Sequence, residues 1–204
     1  MPSEYRVHVF VDFWNFVLSS QREIPQFSSD WKKLPKILTR EAGALVDPSA
    51  LAIYSGMNVY GSYNQITEKS LFNWSTSVLD TFPGVNAHFK PRTRKKGYTT
   101  CPNCHSESKL CTNCGSDLRG TEEKGIDTLI ATDLVRLAWE GAYDVAVLVT
   151  ADQDFVPAAE HLQSKGVKVI HAGFPPNGML LKQKCWGSID LPKYMREFEY
   201  KRKN

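Results

Sequence analysis

The 204-residue sequence lacks several features that place a protein in a broad class at once. No apolar run approaches the roughly 20 residues that a membrane-spanning helix needs. The first 16 residues have neither the basic start nor the small-residue cleavage site of a signal peptide. The chain also lacks a large excess of charge of one sign, because its net charge is only +3. This charge permits nucleic acid as a partner without requiring it. We therefore expect a cytoplasmic protein without a membrane partner.

Cysteine is scarce too, but four of the five cysteines lie within one short stretch. "CPNCHSESKLCTNCG" places Cys101, Cys104, Cys111 and Cys114 as two CxxC pairs, which in a reducing compartment indicates metal binding rather than disulfides. Four thiolates enclose one tetrahedral Zn²⁺ completely, so this zinc is predicted to be structural. Free thiols or a disulfide are the alternative. The remaining Cys185 is expected to be a buried thiol.

Strand-like and helix-like segments alternate along the chain. Helices are predicted in "SSDWKKLPKILTREAG" with an interruption at Pro35, and in "NQITEKSLFNWSTSVLDTF", "GIDTLIATDLVRLAWEGA", "VPAAEHLQSKG" and "NGMLLKQKCWGS". The final "LPKYMREFEYKRKN" is predicted as a basic tail. Strands are predicted in "YRVHVFVDF" up to Asp12, "LAIYSGM" closed by Gly56, "VNAHFK", "DVAVLVTA" and "VKVIHAGF". This alternation predicts an α/β fold with a mostly parallel sheet covered by helices, but it does not give the strand order.

Residues 90–124 interrupt the alternation. They contain the basic run "KPRTRKK", both CxxC pairs and few large apolar residues. We therefore predict one α/β domain formed by residues 1–89 and 125–204, with a basic four-cysteine zinc-binding insert at residues 90–124. A charge run is often only a solvated face. The alternative is that Arg92, Arg94, Lys95 and Lys96 contact the phosphates of a nucleic acid.

Four aspartates occupy positions where a parallel sheet binds ligands, outside the carboxyl ends of its strands. Asp12 ends the first strand, Asp152 and Asp154 follow "VAVLV", and Asp127 begins the long helix. Their convergence would be unfavourable without a cation. Carboxylate oxygens suit Mg²⁺ or Mn²⁺ rather than zinc. For any one of these residues, a turn or a helix cap is the alternative role.

Two further polar residues lie close to these aspartates in sequence. Asn15, three residues after Asp12, can orient a bound water or a substrate oxygen, or it can cap the following turn. Asp133 lies about 240° around the helix from Asp127, so we expect it to be solvated or structural.

Two segments of the chain resemble a known family. "VFVDFWNF" resembles the D-x-x-N signature that opens the NYN domain, a branch of the PIN-like nucleases, and residues 121–173 resemble its second half. The resemblance implies a PIN-type fold and metal-dependent ribonuclease activity. Two departures are Thr150-Ala151 in place of the usual Ser-Gly, and Trp186 where family members often have Asp. The roles implied are metal ligands at Asp12, Asp127, Asp152 and Asp154, a water or substrate orienter at Asn15, and a phosphate contact at Lys124.

Together these features predict a Mg²⁺- or Mn²⁺-dependent endoribonuclease that acts on single-stranded or locally unpaired RNA. Metal-assisted in-line attack needs positioning more than a nucleophilic side chain, and no such nucleophile motif is present. A non-catalytic RNA-binding module that kept the fold is the main alternative. An acidic Mg²⁺ site for a small phosphoester is a third, although the DxD that one phosphatase superfamily carries after its first strand is absent at Asp12.

Overall fold

The structure is a computed structural model that describes residues 4–98 and 100–201. A six-stranded sheet with the order β3-β2-β1-β6-β7-β8 forms its centre, and every neighbouring pair in that sheet is parallel. The short strands β4 and β5 form a separate antiparallel pair. The strands are β1 (Glu4–Asp12), β2 (Leu51–Tyr63), β3 (Val85–Pro91), β4 (Thr93–Arg94), β5 (Thr121–Glu122), β6 (Val145–Val149), β7 (Lys168–Gly173) and β8 (Gly187–Asp190).

Helices cover both faces of the sheet, as the apolar strands predict. Successive side chains of a strand point to opposite faces. Val7, Val9 and Val11 of β1 therefore pack with the first helices, while Phe10 packs with the later ones. The helices are α1 (Phe13–Glu23), α2 (Leu34–Val46), α3 (Lys69–Ser77), α4 (Ile126–Trp139), α5 (Val156–Ser164) and α6 (Met179–Lys184).

The strand order reverses between β1 and β6. From β1 the chain adds β2 and β3 on one side, and the later strands β6, β7 and β8 extend the sheet on the other. In open parallel sheets the crevice outside the carboxyl ends of the strands at such a reversal is the usual ligand position. The pairs Val11↔Val149 and Asp12↔Tyr60 show that β1, β2 and β6 end at the same edge.

Several predicted boundaries were wrong. Pro35 does not interrupt α2 but lies in its first turn. Backbone N–H groups in the first turn have no helical partner, so the missing N–H of proline costs no hydrogen bond there. The second strand continues past Gly56 to Tyr63. A side chain at Gly56 would collide with His8, so this glycine permits close approach rather than ending the strand. Ile66, predicted on the face of the third helix, precedes α3 and is exposed.

Three other elements differ from the predictions. Helix α1 was not predicted, because aromatic and polar residues in "FWNFVLSSQRE" obscure its helical pattern. Strand β8 at residues 187–190 was not predicted, and the predicted basic tail after it begins with a short 3-10 helix and turns. The last part of the predicted basic tail, residues 202–204, lies outside the described residues. Within the described ranges, no helix is both long and apolar enough to cross a membrane.

Candidate functional site

Asp12 joins three elements at the sheet edge. It ends β1 and caps α1, where its Oδ1 accepts a hydrogen bond from the Asn15 N–H at 3.2 Å. Its Oδ2 accepts one from Thr150 Oγ1 at the end of β6, also at 3.2 Å. Burial raises the pKa of Asp12 to about 6, and the nearby Asp127 and Glu123 carboxylates add to the rise. The cap role considered from the sequence is therefore real and coexists with a position inside an acidic site.

The residues after β6 are fastened to α1. Asn15 Oδ1 accepts a hydrogen bond from the Ala151 N–H at 3.0 Å, and the Asp152 N–H donates to Thr150 Oγ1 at 3.2 Å. Among the described residues other than glycine, only Gln26 and His105 have a positive φ. Ala151 therefore replaces glycine without strain, and Thr150 provides the hydroxyl that links Asp12 to this turn.

The four predicted aspartates lie in one electrostatic neighbourhood. Asp127 is on the first turn of α4, and its pKa is raised by partial burial and then by Asp152, Glu123 and Asp154. Asp152 Oδ1 accepts a hydrogen bond from the Asp154 N–H at 2.9 Å. The structure thus brings together carboxylates from the ends of β1 and β6 and from the start of α4.

The carboxylates do not form a closed cluster. Over residues 4–98 and 100–201, no three Asp, Glu, His or Cys side chains are grouped closely enough to hold a metal ion directly. The donor chemistry nevertheless fits Mg²⁺, which prefers oxygen ligands, keeps several waters and often uses only one or two carboxylates. The arrangement is therefore an open acidic edge and not a preformed metal cage.

Two site residues were not singled out from the sequence. Glu123, in the "EEKG" that precedes Asp127, raises the pKa of both Asp12 and Asp127 and accepts a hydrogen bond from Ser62 Oγ. His171 on β7 is buried, and its Nε2 lies 2.9 Å from the Thr150 carbonyl oxygen. The acidic "EEKG" was a usable signal for Glu123, whereas nothing in the sequence distinguishes His171 from a core residue.

The predicted basic residues differ in how accessible their charged groups are to a ligand. Arg92 stacks over the Trp14 ring at 5.0 Å, and its Nε donates to Ser62 Oγ at 2.9 Å. Lys124 pairs with Glu122 at 2.8 Å but leaves most of its side chain exposed.

The other three predicted basic residues are exposed, and one further lysine reaches the site. Arg94 lies 3.8 Å from Asp117, and Lys95 and Lys96 are exposed. Lys90, which the basic run contained but the predicted contacts omitted, brings its Nζ close to Gly125 at the start of α4. Arg92 is therefore part of the packing, while the cations around it remain accessible.

The two CxxC pairs adopt matching turns. The His105 N–H donates to the Cys101 carbonyl at 2.9 Å, and the Gly115 N–H donates to the Cys111 carbonyl at 2.8 Å. Residues His105 and Gly115 both have positive φ, at 55° and 70°. All the cysteines are free thiols. The repeated turn places the two thiols of each pair on one small loop, while the two loops are not gathered into one metal cluster within the described residues.

Asp133 and Cys185 have structural surroundings. Asp133 is buried and not solvated, and its carboxylate accepts a hydrogen bond from Tyr60 Oη at 3.0 Å and pairs with Arg136 at 3.1 Å. Cys185 is half-buried, and burial raises the pKa of its thiol to about 12. Neither residue belongs to the acidic edge.

Comparisons with known proteins agree with this architecture. The profile of the family described as "NYN domain" matches residues 6–191. An uncharacterized protein, y4oD of Sinorhizobium fredii, is 30% identical over 83 residues, which are 36% of this chain and 39% of that protein. This match thus spans well under half of the relative. The crystal structure of VPA0982 from Vibrio parahaemolyticus, a protein of unknown function, superposes with a TM-score of 0.55 at 18% identity over 96% of both chains, which shows a shared fold.

Proposed function

Because the chain belongs to the NYN domain family, a family of PIN-like nucleases, we propose that it is a Mg²⁺- or Mn²⁺-dependent endoribonuclease. The observation that carries this proposal is the convergence of Asp12, Asp127, Asp152 and Asp154 at the strand-order reversal. These residues come from three segments distant in sequence. If each aspartate only occupied a turn, there would be no reason for all four to lie near one another. When bound, the divalent cation supplies charge stabilisation to the phosphate and lowers the pKa of water.

The side chains around the carboxylates have positioning roles in this proposal. Thr150 holds Asp12 by a hydrogen bond, and Asn15 holds Ala151 through its Oδ1. With Oδ1 occupied, the Asn15 amide retains its two N–H donors for a phosphate oxygen or a water. Lys124 pairs with Glu122 in the loop before α4 and leaves most of its side chain exposed, and its amino group would contact the phosphate backbone there.

The cysteine-bearing segment is proposed to be a separate insert. Residues 90–124 would bind one Zn²⁺ through Cys101, Cys104, Cys111 and Cys114, supported by the two matching CxxC turns. The β4–β5 pair closes the base of this segment. Zinc thiolates are retained best in a reducing compartment, which fits a cytoplasmic protein. Exposed cations of the insert would hold single-stranded or locally unpaired RNA beside the acidic edge.

One observation favours a second candidate. The open spacing of the carboxylates is compatible with a non-catalytic RNA-binding module that kept the NYN fold. Such a module would bind RNA equally well with or without divalent cations and would leave the RNA intact.

A cleavage assay separates the two functions. Purified protein is incubated with structured and unstructured RNAs in Mg²⁺, Mn²⁺ or EDTA. The enzyme proposal expects internal cleavage in Mg²⁺ or Mn²⁺ and none in EDTA. Asp152→Asn should abolish cleavage while preserving the fold, because Asn keeps an oxygen acceptor for the Asp154 N–H.

The matched control for Asp152→Asn is Glu160→Gln. It removes one carboxylate charge from the exposed surface of α5, where Glu160 pairs with Lys184. Intact RNA under all metal conditions, or full turnover by Asp152→Asn, would refute the enzymatic assignment.

A further inference from the structure

A cavity of about 300 Å³ lies beside the acidic edge, between α1 and the loops that follow β6 and β7. Its wall includes Asn15, Ser19 and Arg22 of α1, with Asn177 and Gly178 from the loop before α6. The three α1 positions are four and three residues apart, so their side chains share one helix face. The volume is at the lower end of small-molecule sites. We call this cavity the α1 pocket.

The α1 pocket is lined by hydrogen-bond donors. Asn15 Oδ1 is occupied by the Ala151 N–H at 3.0 Å, so its amide N–H groups remain available. Ser19 and Asn177 add a hydroxyl and a second amide. Among the described residues, none of those lining the pocket is acidic. The pocket is therefore suited to an anion, although it adjoins a group of carboxylates.

Arg22 provides the cation of the pocket. Its side chain is exposed, and within residues 4–98 and 100–201 it makes no hydrogen bond or ion pair. Side chains of an α-helix tilt toward its N-terminus, so Arg22 leans toward Asn15 and the sheet edge. The planar guanidinium matches phosphate oxygens with two parallel hydrogen bonds. An ordinary alternative is that Arg22 only stabilises the C-terminal end of the α1 dipole.

We propose that the α1 pocket binds a phosphate of the RNA strand adjacent to the phosphate that is cleaved, with Arg22 as its main contact. This inference rests on the proposed ribonuclease function. Arg22 lies two helical turns beyond Asn15, about 10 Å along the axis, so Asn15 marks the end of the pocket next to the acidic edge and Arg22 the end away from it. A strand whose phosphates lie at the acidic edge and at Arg22 follows one path across the sheet edge.

RNA binding in EDTA tests the pocket without cleavage. Affinity for a short single-stranded RNA is measured over a series of salt concentrations for the wild type, Arg22→Ala and Arg22→Lys. Arg22→Ala should bind more weakly, and its slope of log K against log salt should fall by about 0.7. Arg22→Lys should keep the slope but recover only part of the affinity, because it loses the bidentate geometry.

Arg196→Ala is the matched control. Arg196 is also an exposed arginine, without a hydrogen-bond or ion-pair partner among the described residues, but it lies on the chain segment that packs against α2. It should leave both affinity and slope unchanged. With Mg²⁺ or Mn²⁺, Arg22→Ala should raise KM and change kcat little, since the interaction is made in the ground state as well as the transition state. A structural role at the end of α1 predicts neither change.

Two RNA forms distinguish the source of the phosphate. An equal loss of affinity for RNAs with a 5′-phosphate and a 5′-hydroxyl assigns the pocket to an internal phosphate, and a loss confined to the 5′-phosphate form assigns it to the strand end. Arg22→Ala binding with wild-type affinity and slope would overturn the proposal, as would wild-type protein that does not bind RNA. Intact binding without any cleavage would instead refute the proposed enzyme activity, so the two failures remain distinct.

Discussion

At the sheet edge, the same residues stabilise the fold and form the candidate site. Asp12 ends a strand, caps α1 and contributes a carboxylate to the acidic edge. Thr150 and Asn15 tie the end of β6 to the same residue and its helix. Because the cap and the hydrogen bonds fix the carboxylate, no movement of the backbone is needed to present it. Placing a buried carboxylate near others costs stability, which is common at functional sites.

The buried histidine of β1 provides a pH prediction at the residue scale. Burial lowers the pKa of His8, and its contact with Asn58 and the charge of Asp133 offset this only in part. The unfolded chain has a histidine pKa of about 6.5. Below that value the unfolded state binds more protons, so the stability of the protein should be retained above about pH 6.5 and decline on acidification.

The comparison of two variants isolates this effect. His8→Asn should show a smaller loss of unfolding free energy between neutral and acidic pH than the wild type, measured by denaturant titration. His161→Asn, at an exposed position on α5, should follow the wild type. Parallel pH profiles for the wild type and His8→Asn would contradict the assigned role of His8.

At this scale the sequence pattern indicated where the carboxylates lie, because Asp at the ends of apolar strands is visible in the pattern, while their role as metal ligands stays a prediction. The partners of each residue were harder to predict. Arg92 was predicted to contact RNA, but the structure stacks it on Trp14 and bonds it to Ser62. Such contacts join residues far apart in sequence, so local pattern does not reveal them.

Helix α4 carries Asp127, and a buried polar contact fixes the helix to the sheet. Tyr60 Oη on β2 donates to Asp133 Oδ2 at 3.0 Å and accepts from Asn58 Nδ2 at 2.9 Å. Tyr60 is completely buried, so these groups have little access to water. The contact between β2 and α4 therefore contributes to the position of Asp127.

Tyr60→Phe should lower the free energy of unfolding by about 1–3 kcal/mol, because it leaves the Asp133 Oδ2 and Asn58 Nδ2 atoms without their buried hydrogen-bond partner. Tyr63→Phe is the control, since the described residues show no hydrogen bond from its hydroxyl. Urea titrations of both variants measure the difference. Equal midpoints for the two would show that the Tyr60 hydroxyl does not stabilise the α4 contact.

The cysteine-bearing element has its own prediction. Elemental analysis should find about one zinc per chain. Cys111→Ser should lose that zinc, whereas Cys185→Ser, which changes a half-buried thiol after α6, should retain it. Since structural zinc contributes folding free energy directly, a chelator should make the insert sensitive to proteolysis while the sheet stays folded. A zinc-free chain with a protease-resistant insert would contradict this prediction.

Element prediction was reliable for strongly apolar segments and poor elsewhere. Strand β6 is buried at every position, and α4 shows three buried apolar residues at helical spacing, so both were found. Helix α1 was missed because it lies under aromatic residues whose burial depends on α2, α3 and the C-terminal segment. The four-residue β8 is too short to carry a periodic signal.

The site depends on the topology of the whole molecule. Asp12 and Thr150 meet because β1 and β6 are neighbours, although 138 residues separate them, and Asp152 lies in the same turn as Thr150. The strand order did not follow from the sequence, since strands covered on both faces are apolar throughout and any two can pair. The insert between β3 and α4 returns to the same edge, as the β4–β5 pair shows. The proposed RNA strand would therefore pass both the acidic edge and the basic insert.

The final prediction concerns this shared strand. If the insert holds RNA, replacing Arg94, Lys95 and Lys96 with Gln should weaken binding and lower the slope of log K against log salt by about 2, since each single-strand phosphate contact contributes about 0.7. Arg92 is left intact because it is part of the packing. Binding titrations in EDTA at several salt concentrations measure the slope. Cleavage at saturating RNA should change less than affinity, because these side chains hold the strand away from the reacting phosphate.

A control with the same charge change separates position from net charge. Lys36→Gln, Lys165→Gln and Arg196→Gln together also remove three positive charges, from exposed positions on α2, after α5 and after β8. If only net charge attracts RNA, both triple variants lose the same slope. If the insert contacts the strand, the control keeps the wild-type slope and the insert variant does not. Identical slopes for the two variants would leave the insert without a role in binding RNA, and the acidic edge would have to hold its substrate through Lys124 and the α1 pocket alone.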